Sequence, residues 1–471
     1  MRLESDSIGE KEISDSAYYG VQSARAKENF PITGRQLRPE FICNLAQIKK
    51  AAALANHEAG TLDYQRMQAI VQACNDVISG KLHEQFIVDP IQGGAGTSAN
   101  MNANEVIANR AIVYLGGQKG EYSLVHPNDH VNMSQSTNDV FPTAGKLTAL
   151  DLTKPLLRQL YALKEALEDK AEELKDVVKI GRTQLQDAVP ESFGQTFGAF
   201  ANMVGRTAER IKSSEKELCS LNLGGTAIGT GINTTPVYRR RVTPILSKLT
   251  GHRLTSAPDQ MDATQNLDCF VSVSGALKAC AVSLSKMCND LRLLSSGPRA
   301  GLGELLLPAM QNGSSIMPGK VNPVIPEVVT QVCFAVVGND AAITMAAEAG
   351  QMELNAFEPV LFDRLFDSLE EMANATETLT VNCISGIKAD QNHCRMLLEA
   401  GTGTATALTP FIGYCKAAHL AKKALKTGEP FTELARRESG LSDEQLQKML
   451  NPLLLTGKAS LDEPEKTSAA V

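Results

Sequence analysis

The sequence of 471 residues contains no tryptophan, no long run of charge of one sign, and no cysteines at the two-residue spacing of a zinc knuckle or redox motif. Its 46 basic and 53 acidic residues are interspersed and give a formal net charge of -7. Without a basic face, neither nucleic acid nor an anionic membrane surface is an expected partner. The ten cysteines fall mostly in apolar helical stretches. We therefore expect free thiols in a reducing cytoplasm rather than disulfides.

Signals for export or membrane insertion are also lacking. Residues 1–12 are charged and have no apolar core of the kind found in a secretory signal. The two most apolar helical segments carry internal charges, for example Lys278 in one and Asp340 in the other, so we expect neither to span a membrane. The sequence therefore predicts a cytoplasmic protein, long enough to be an enzyme of several domains.

Helical periodicity dominates the middle of the chain. Leucines recur in steps of three and four along the first long helical segment, at Leu156, Leu160, Leu163 and Leu167. Five long helices are predicted, over about 143–180, 191–221, 264–294, 323–349 and 355–384. Long helices with few strands between them predict a mainly all-α fold with a central bundle. Two of the five, 264–294 and 323–349, are apolar around much of their circumference, which indicates oligomerisation through them.

Three domains are expected from the changes in pattern along the chain. Residues 1–140 mix short helical patterns with polar loops and form an N-terminal domain. Residues 141–388 form the central domain of long helices, and residues 389–471 form a small helical C-terminal domain. The polar tail, 460–471, is expected to be frayed.

Four polar loops share one design, in which hydroxyl or amide side chains come just before a predicted helix. Their polar residues are Thr97, Ser136, Thr137, Asn138, Thr183, Gln184, Ser314 and Ser315. The last loop, residues 313–323, also supplies Lys320 and Asn322, and we expect Asn322 to be the N-cap of the next helix. Five residues separate the glycines of this loop and Val321 follows Lys320, which excludes a phosphate-binding P-loop. A carboxylate is the better candidate ligand.

The assembled loops are rich in hydrogen-bond donors and poor in carboxylates, which suits a small polyanion. His126 and His130 suggest a zinc site, but Pro127 disfavours the regular helix that would align their side chains. No Ser-His-Asp order, metal cluster or nucleotide loop can be singled out, so we expect acid and base chemistry with preorganised donors. A reaction that fits this set of side chains is removal of a proton from the carbon next to a carboxylate, because the donors would hold the dianion that forms.

The four loops, at 93–104, 126–139, 181–190 and 313–323, together resemble the fumarase/aspartase superfamily, and the similarity extends over nearly the whole chain from residues 17–22 onward. The pattern Gly-Ser-Ser-x-Met-Pro-x-Lys-x-Asn-Pro in the last loop is a highly specific signature. The resemblance implies three mostly helical domains and a homotetramer. Its core of twenty helices, five from each subunit, would hold four sites, each built from three subunits.

Two positions separate the branches of the superfamily. The fumarases have Gly-Arg-Thr-His and Gln-Ser-Ser-Asn-Asp, whereas this chain has Gln184 and Thr137 at the differing positions. The chain is therefore more similar to the aspartases, although some aspartases keep the histidine that fumarases have at the position of Gln184. The implied reaction converts L-aspartate to fumarate and ammonia without an organic cofactor, and a divalent cation such as Mg²⁺ is at most an activator. The alternatives are a class II fumarate hydratase, a lyase for a larger amino-linked substrate, and an inactive scaffold like certain lens proteins.

The resemblance also implies a role for each loop residue. Ser314 would be the general base, although the residues alone do not separate it from Ser315. The β-carboxylate and its dianionic form would be held by Thr97, Ser136, Thr137 and Ser315. The α-carboxylate would be held by Thr183, Lys320 and Asn322. The leaving amine would be oriented by Asn138 and Gln184, with Thr97 as a further candidate. His126, Asn128 and Asp129 resemble a second anion-binding spot of the fumarases.

Overall fold

The structure, a computed structural model, describes residues 1–457; residues 458–471, which include the predicted frayed tail, lie outside the described part. The α-helices of the described part are, in chain order, α1 (Val21–Asn29), α2 (Pro39–Glu58), α3 (Tyr64–Ile78), α4 (Thr97–Tyr114), α5 (Thr137–Glu173), α6 (Phe193–Leu218), α7 (Pro236–Thr250), α8 (Asp262–Gln265), α9 (Asp268–Leu294), α10 (Val324–Glu348), α11 (Glu358–Asn382), α12 (Gln391–Ala400), α13 (Thr409–Ile412), α14 (Tyr414–Thr427), α15 (Phe431–Glu438), α16 (Asp443–Met449) and α17 (Pro452–Leu455). The prediction of a mainly helical fold is confirmed.

Short strands form two-stranded ladders between the helices. They are β1 (Arg2–Asp6), β2 (Gly9–Ile13), β3 (Val178–Thr183), β4 (Gln186–Ser192), β5 (Ser220–Leu221), β6 (Thr255–Ser256), β7 (Leu305–Leu306) and β8 (Lys388–Ala389). The pairs β1–β2, β3–β4 and β7–β8 are antiparallel, and β5–β6 is parallel. A π-helical turn over Pro127–Val131 and 3-10 turns over His83–Gln85, Ile384–Gly386 and Gly403–Leu408 complete the elements.

The chain divides into two compact units. Unit 1 comprises Met1–Arg158, Thr207–Ala281 and Cys333–Ala373, and unit 2 comprises Gln159–Arg206, Val282–Val332 and the chain from Asn374 onward. The five long helices, α5, α6, α9, α10 and α11, each have one part in either unit. The three sequence domains, 1–140, 141–388 and 389–471, stay a prediction.

The five predicted long helices are present, but the first is displaced from its predicted bounds of 143–180. It begins at Thr137 and ends at Glu173. Pro142, which suggested a helix start nearby, lies inside the helix and has no N–H to give to the carbonyl oxygen of Asn138 four residues earlier. That oxygen instead accepts from the side-chain amide of Asn222 at 2.9 Å. A contact distant in sequence therefore compensates for the proline.

The polar connector predicted at 181–190 is part of a β-hairpin. Strands β3 and β4 pair from Val178 with Ser192 to Thr183 with Gln186. The two turn residues, Gln184 and Leu185, have φ angles of 56° and 62°. Two-residue hairpin turns need positive φ and usually use glycine or asparagine, so the sequence did not indicate this turn.

The start of α10 also differs from the prediction. The helix begins at Val324, so Asn322 is not its N-cap. The side-chain amide of Asn322 instead donates to the carbonyl oxygen of Gly313 at 2.8 Å. Asn322 therefore closes the 313–323 loop on itself.

Helices α9 and α10 are long and apolar enough to cross a membrane by length and composition, although 50% and 33% of their most apolar windows are buried within the chain. Two of their internal charges, those of Lys278 and Asp340, pair with each other inside unit 1. Lys278 Nζ donates to Asp340 Oδ2 at 2.5 Å, and Ser274 Oγ donates to Asp340 Oδ1 at 2.7 Å. Helices in the cores of globular proteins combine the same length with such paired charges.

Candidate active site

In unit 1, the predicted residues lie at the first turns of α4 and α5. Thr97 opens α4, and its hydroxyl donates to the carbonyl oxygen of Gly94 at 2.7 Å. Ser136, Thr137 and Asn138 lie at the start of α5, where the N–H of Asn138 donates to Ser136 Oγ at 3.2 Å. Helix N-termini present free N–H groups and positive potential, so both turns suit an anionic ligand.

Asn100 joins these two helix starts. It lies on α4, and its side-chain amide donates to Thr137 Oγ1 at 3.0 Å and to Asn132 Oδ1 at 3.2 Å. Because Thr137 Oγ1 accepts this bond, its hydroxyl hydrogen is free to donate. Unit 1 therefore brings the first turns of α4 and α5 together.

A buried lysine supports this junction from behind. Lys49 on α2 is fully buried, and its Nζ donates to Asn132 Oδ1 at 2.8 Å and to Gln135 Oε1 at 3.0 Å. Burial lowers the pKa of Lys49 to about 7, although the nearby carboxylate of Asp139 opposes the shift. Sequence reasoning missed Lys49, because a lysine in an alanine-rich helix resembles an ordinary surface residue.

Hydrogen bonds to the side chain of Asp139 connect the start of α5 to a turn at 222–227. Its Oδ1 accepts from the N–H of Ser136 at 2.9 Å, and its Oδ2 accepts from the N–H groups of Gly224 and Thr226 at 3.0 Å each. The carboxyl is fully buried, and burial raises its pKa to about 6 despite these donors. The side-chain amide of Asn138 also reaches the turn, donating to Ala227 O at 2.7 Å. Sequence reasoning missed this turn, whose available signal was the Gly-Gly-Thr run.

In unit 2, Thr183 and Gln184 lie at the tip of the β3–β4 hairpin and are exposed. The preceding Arg182 donates to Glu304 Oε2 at 2.6 Å. Glu304 is completely buried, and its Oε1 has no hydrogen-bond partner within the described residues. This ion pair ties the base of the hairpin tip to the interior of unit 2.

The remaining predicted residues lie on the 313–323 loop, also in unit 2. A Cβ on Gly313 would lie 2.1 Å from the carbonyl oxygen of Lys320, so the two ends of the loop approach each other as only glycine allows. Ser314 Oγ accepts from the N–H groups of Ile316 at 3.3 Å and Met317 at 3.0 Å. Ser315 and Lys320 are exposed. The loop therefore presents two hydroxyls and an ammonium group at the surface of the chain.

The predicted histidines have partners within their own turn. His126 Nδ1 accepts from the N–H groups of Asn128 and Asp129 at 3.2 Å each, and His130 Nδ1 accepts from the N–H of His126 at 2.8 Å. Between residues 1 and 457, no group of three or more His, Cys, Asp or Glu side chains is placed to hold a metal ion. His126 and Asn128 line a cavity of about 440 Å³ with Arg25, where the predicted second anion-binding spot would lie.

Comparison with known proteins places this chain in a family. A family model described as lyase matches residues 9–338, and one described as fumarase C C-terminus matches residues 405–457. The chain is 54% identical over 456 residues to the aspartate ammonia-lyase of a Bacillus species, covering 97% of each chain. The cobalt-bound fumarate lyase:delta crystallin of Brucella melitensis matches with a TM-score of 0.94 at 49% identity, covering 97% of this chain and 99% of that one. The class II fumarase of Schistosoma mansoni matches with a TM-score of 0.93 at 34% identity and the same coverage. The chain belongs to this lyase family, the fumarase/aspartase superfamily.

Proposed function

We propose that the chain is an aspartate ammonia-lyase, which converts L-aspartate reversibly to fumarate and ammonia. The main support for this proposal is the chain's 54% identity, over 97% of both chains, to a relative of that name. The class II fumarase is 34% identical over a similar length. Gln184 and Thr137, the two positions that differ from the fumarase pattern, agree with this choice.

Ser314 is the general base that removes the proton next to the β-carboxylate. Its Oγ already accepts two backbone hydrogen bonds, from Ile316 and Met317, and such donors favour the alkoxide over the neutral hydroxyl. The ammonium group of Lys320, six residues further along the same loop, adds positive charge. Exclusion of water when substrate binds would strengthen both effects.

The dianion formed by proton removal is the species that the hydroxyl groups stabilise. Thr137 Oγ1 accepts from the amide of Asn100, and Ser136 Oγ accepts from the N–H of Asn138, so the hydroxyl hydrogens of both residues are free to donate to the dianion. These two hydroxyls, with Ser315, hold the β-carboxylate, and Thr97 joins them when its hydroxyl hydrogen turns from the carbonyl oxygen of Gly94 to the substrate. By analogy with an oxyanion hole, each donor lowers the barrier by about 3 kcal/mol.

The other end of the substrate is held by different groups. The α-carboxylate binds to Thr183, Lys320 and Asn322, whose donors suit a permanent negative charge. Asn138 and Gln184 orient the leaving amine, with Thr97 as a further candidate. No organic cofactor takes part, and a divalent cation such as Mg²⁺ acts at most as an activator.

The active form is a cytoplasmic homotetramer in which each site draws residues from three subunits. Large apolar side chains along α10 support this assembly, since Phe334 and Met345 are 65% and 70% exposed in the single chain. A row of such side chains on one helix is typical of a surface that another subunit covers. The bundle that results would contain twenty long helices.

The test compares two substrates on the purified protein. Fumarate absorbs in the ultraviolet, so its formation is followed after adding L-aspartate or L-malate in separate reactions. We expect fumarate from L-aspartate. Fumarate from L-malate alone would identify a class II fumarate hydratase, and activity with neither would identify an inactive scaffold or a lyase for a larger amino-linked substrate.

A further inference from the structure

We propose that the 222–227 turn, held by Asp139, is a positioning element that fixes the amide of Asn138 as a hydrogen-bond acceptor toward the leaving amine of the substrate. The proposal rests on the proposed function and deepens it. No residue of this turn belongs to the predicted site.

Hydrogen bonds connect the turn to both the side chain and the backbone of Asn138. The side-chain amide of Asn138 donates to Ala227 O at 2.7 Å, and the side-chain amide of Asn222 donates to the backbone oxygen of Asn138 at 2.9 Å. The second bond is available because Pro142 leaves that backbone oxygen without its usual helical donor. The turn therefore holds both the backbone and the side chain of Asn138.

The bond to Ala227 decides which atom of the Asn138 amide faces outward. If the amide were flipped, its Oδ1 would face the carbonyl oxygen of Ala227, and two acceptors would oppose each other. With Nδ2 on Ala227, Oδ1 has no hydrogen-bond partner within the described residues. An ammonium group carries only donors and satisfies this oxygen, whereas a second carboxylate would be repelled.

Asp139 and the shape of the turn make this arrangement stiff. Asp139 accepts from the N–H groups of Gly224 and Thr226, and its carboxyl is fully buried. Thr226 has a φ of 56°, a conformation that a threonine keeps only when its surroundings enforce it. A Cβ on Gly225 would lie 2.9 Å from the carbonyl oxygen of Asn222, so the turn has no room for a side chain there.

Thr137, next to Asn138, has the opposite hydrogen-bonding polarity. The amide of Asn100 donates to Thr137 Oγ1 at 3.0 Å, so this hydroxyl presents a donor. Adjacent residues at the start of α5 therefore present a donor and an acceptor, each fixed by a residue behind it. An amino acid with a carboxylate on a neighbouring carbon matches this alternation, whereas a plain dicarboxylate satisfies only the donor.

Asp139→Asn tests the proposal, because asparagine can keep its Oδ1 on the N–H of Ser136, whereas its NH2 group then faces the N–H groups of Gly224 and Thr226 and cannot accept from them. We expect the KM for L-aspartate to rise about tenfold, the cost of roughly one well-placed hydrogen bond. The inhibition constant of succinate, which has both carboxylates and no amino group, should change by less than about twofold. A variant that merely disturbed the fold would weaken the binding of L-aspartate and of succinate by similar factors.

Two further variants complete the experiment. Gly225→Ala displaces the turn without removing a buried carboxylate. We again expect the KM for L-aspartate to rise while the inhibition constant of succinate stays nearly unchanged. Glu105→Gln is the matched control, since Glu105 is also buried and accepts from the backbone N–H groups of Gly20, Gln22 and Ser23, but holds α1. It should leave the ratio of the aspartate KM to the succinate inhibition constant unchanged.

The outcomes separate this proposal from the proposed function. If the wild-type protein releases no fumarate from L-aspartate, the proposed function fails. If the wild-type protein is active but Asp139→Asn and Gly225→Ala shift aspartate and succinate by equal factors, or shift neither, the positioning role of the turn is overturned while the activity stands.

Discussion

The Oγ atom of Ser314 accepts a hydrogen bond from the backbone N–H of Met317 at 3.0 Å. The N–H of Ile316 points at the same oxygen from 3.3 Å. No comparable hydrogen bond to the hydroxyl of Ser315 is present within residues 1–457. The structure therefore distinguishes two serines that are equivalent on the sequence, and these two donors support the proposal that the hydroxyl of Ser314 is the one that ionises.

Ser314→Ala should lower kcat for L-aspartate by about three orders of magnitude or more, because the base that starts the reaction is lost. Ser315→Ala is the matched control, and it should mainly raise KM by removing one donor to the β-carboxylate. Steady-state kinetics on both variants, with the assembly state checked by size-exclusion chromatography, provides the measurement. Near-normal turnover in Ser314→Ala would remove this residue from its role.

Asn322→Asp should open the 313–323 loop, because a carboxylate cannot donate to the carbonyl oxygen of Gly313 as the amide does at 2.8 Å. It also places a negative charge where the α-carboxylate is proposed to bind. We expect kcat/KM to fall about 100-fold or more, from the lost donor and the added repulsion. Asn312→Asp makes the same change at an exposed position just before the loop and should be nearly neutral. Equal losses in the two variants would argue against the role of Asn322.

The long helices were predictable because each carries its own periodic apolar pattern. The leucines that predicted α5, from Leu156 to Leu167, are all fully buried. The features that were missed depend on contacts distant in sequence: α5 starts early because Asn222 compensates for Pro142, and Asp139 holds a turn more than eighty residues away. The hairpin turn at Gln184 uses residues that rarely adopt positive φ, so the local sequence did not predict it.

Arg182→Met should destabilise the protein, because it leaves the completely buried carboxylate of Glu304 without its ion-pair partner. The expected loss is about 3–5 kcal/mol, the usual cost of breaking a buried pair from one side. The double variant Arg182→Met/Glu304→Gln should recover part of the loss. Arg436→Met, which removes an exposed partner of Glu433, should cost less than about 1 kcal/mol. Thermal unfolding of the four proteins measures this, and equal shifts for Arg182→Met and Arg436→Met would contradict the prediction.

Lys49 should make stability depend on pH above neutrality. Its pKa is lowered from 10.5 to about 7, so the folded state binds this proton less tightly than the unfolded chain does. Between pH 7 and about 10 the contribution of Lys49 to stability therefore rises with pH. The melting temperature of the wild type minus that of Lys49→Met should increase across this range. Lys50→Met, at the neighbouring half-buried lysine, is the control for the removal of a lysine from α2. A difference that stays constant with pH for Lys49→Met would show that Lys49 is not neutralised by burial.

We propose that hydroxyl and amide donors at these helix starts and loops stabilise a doubly charged form of the β-carboxylate. The most direct measurement uses 2-amino-3-nitropropanoate, whose deprotonated nitronate is planar and, like that species, carries negative charge on two oxygen atoms. Its inhibition constant should lie at least about 100-fold below the KM for L-aspartate, as expected of a ligand that resembles a transition state. An inhibition constant equal to that KM would contradict the account.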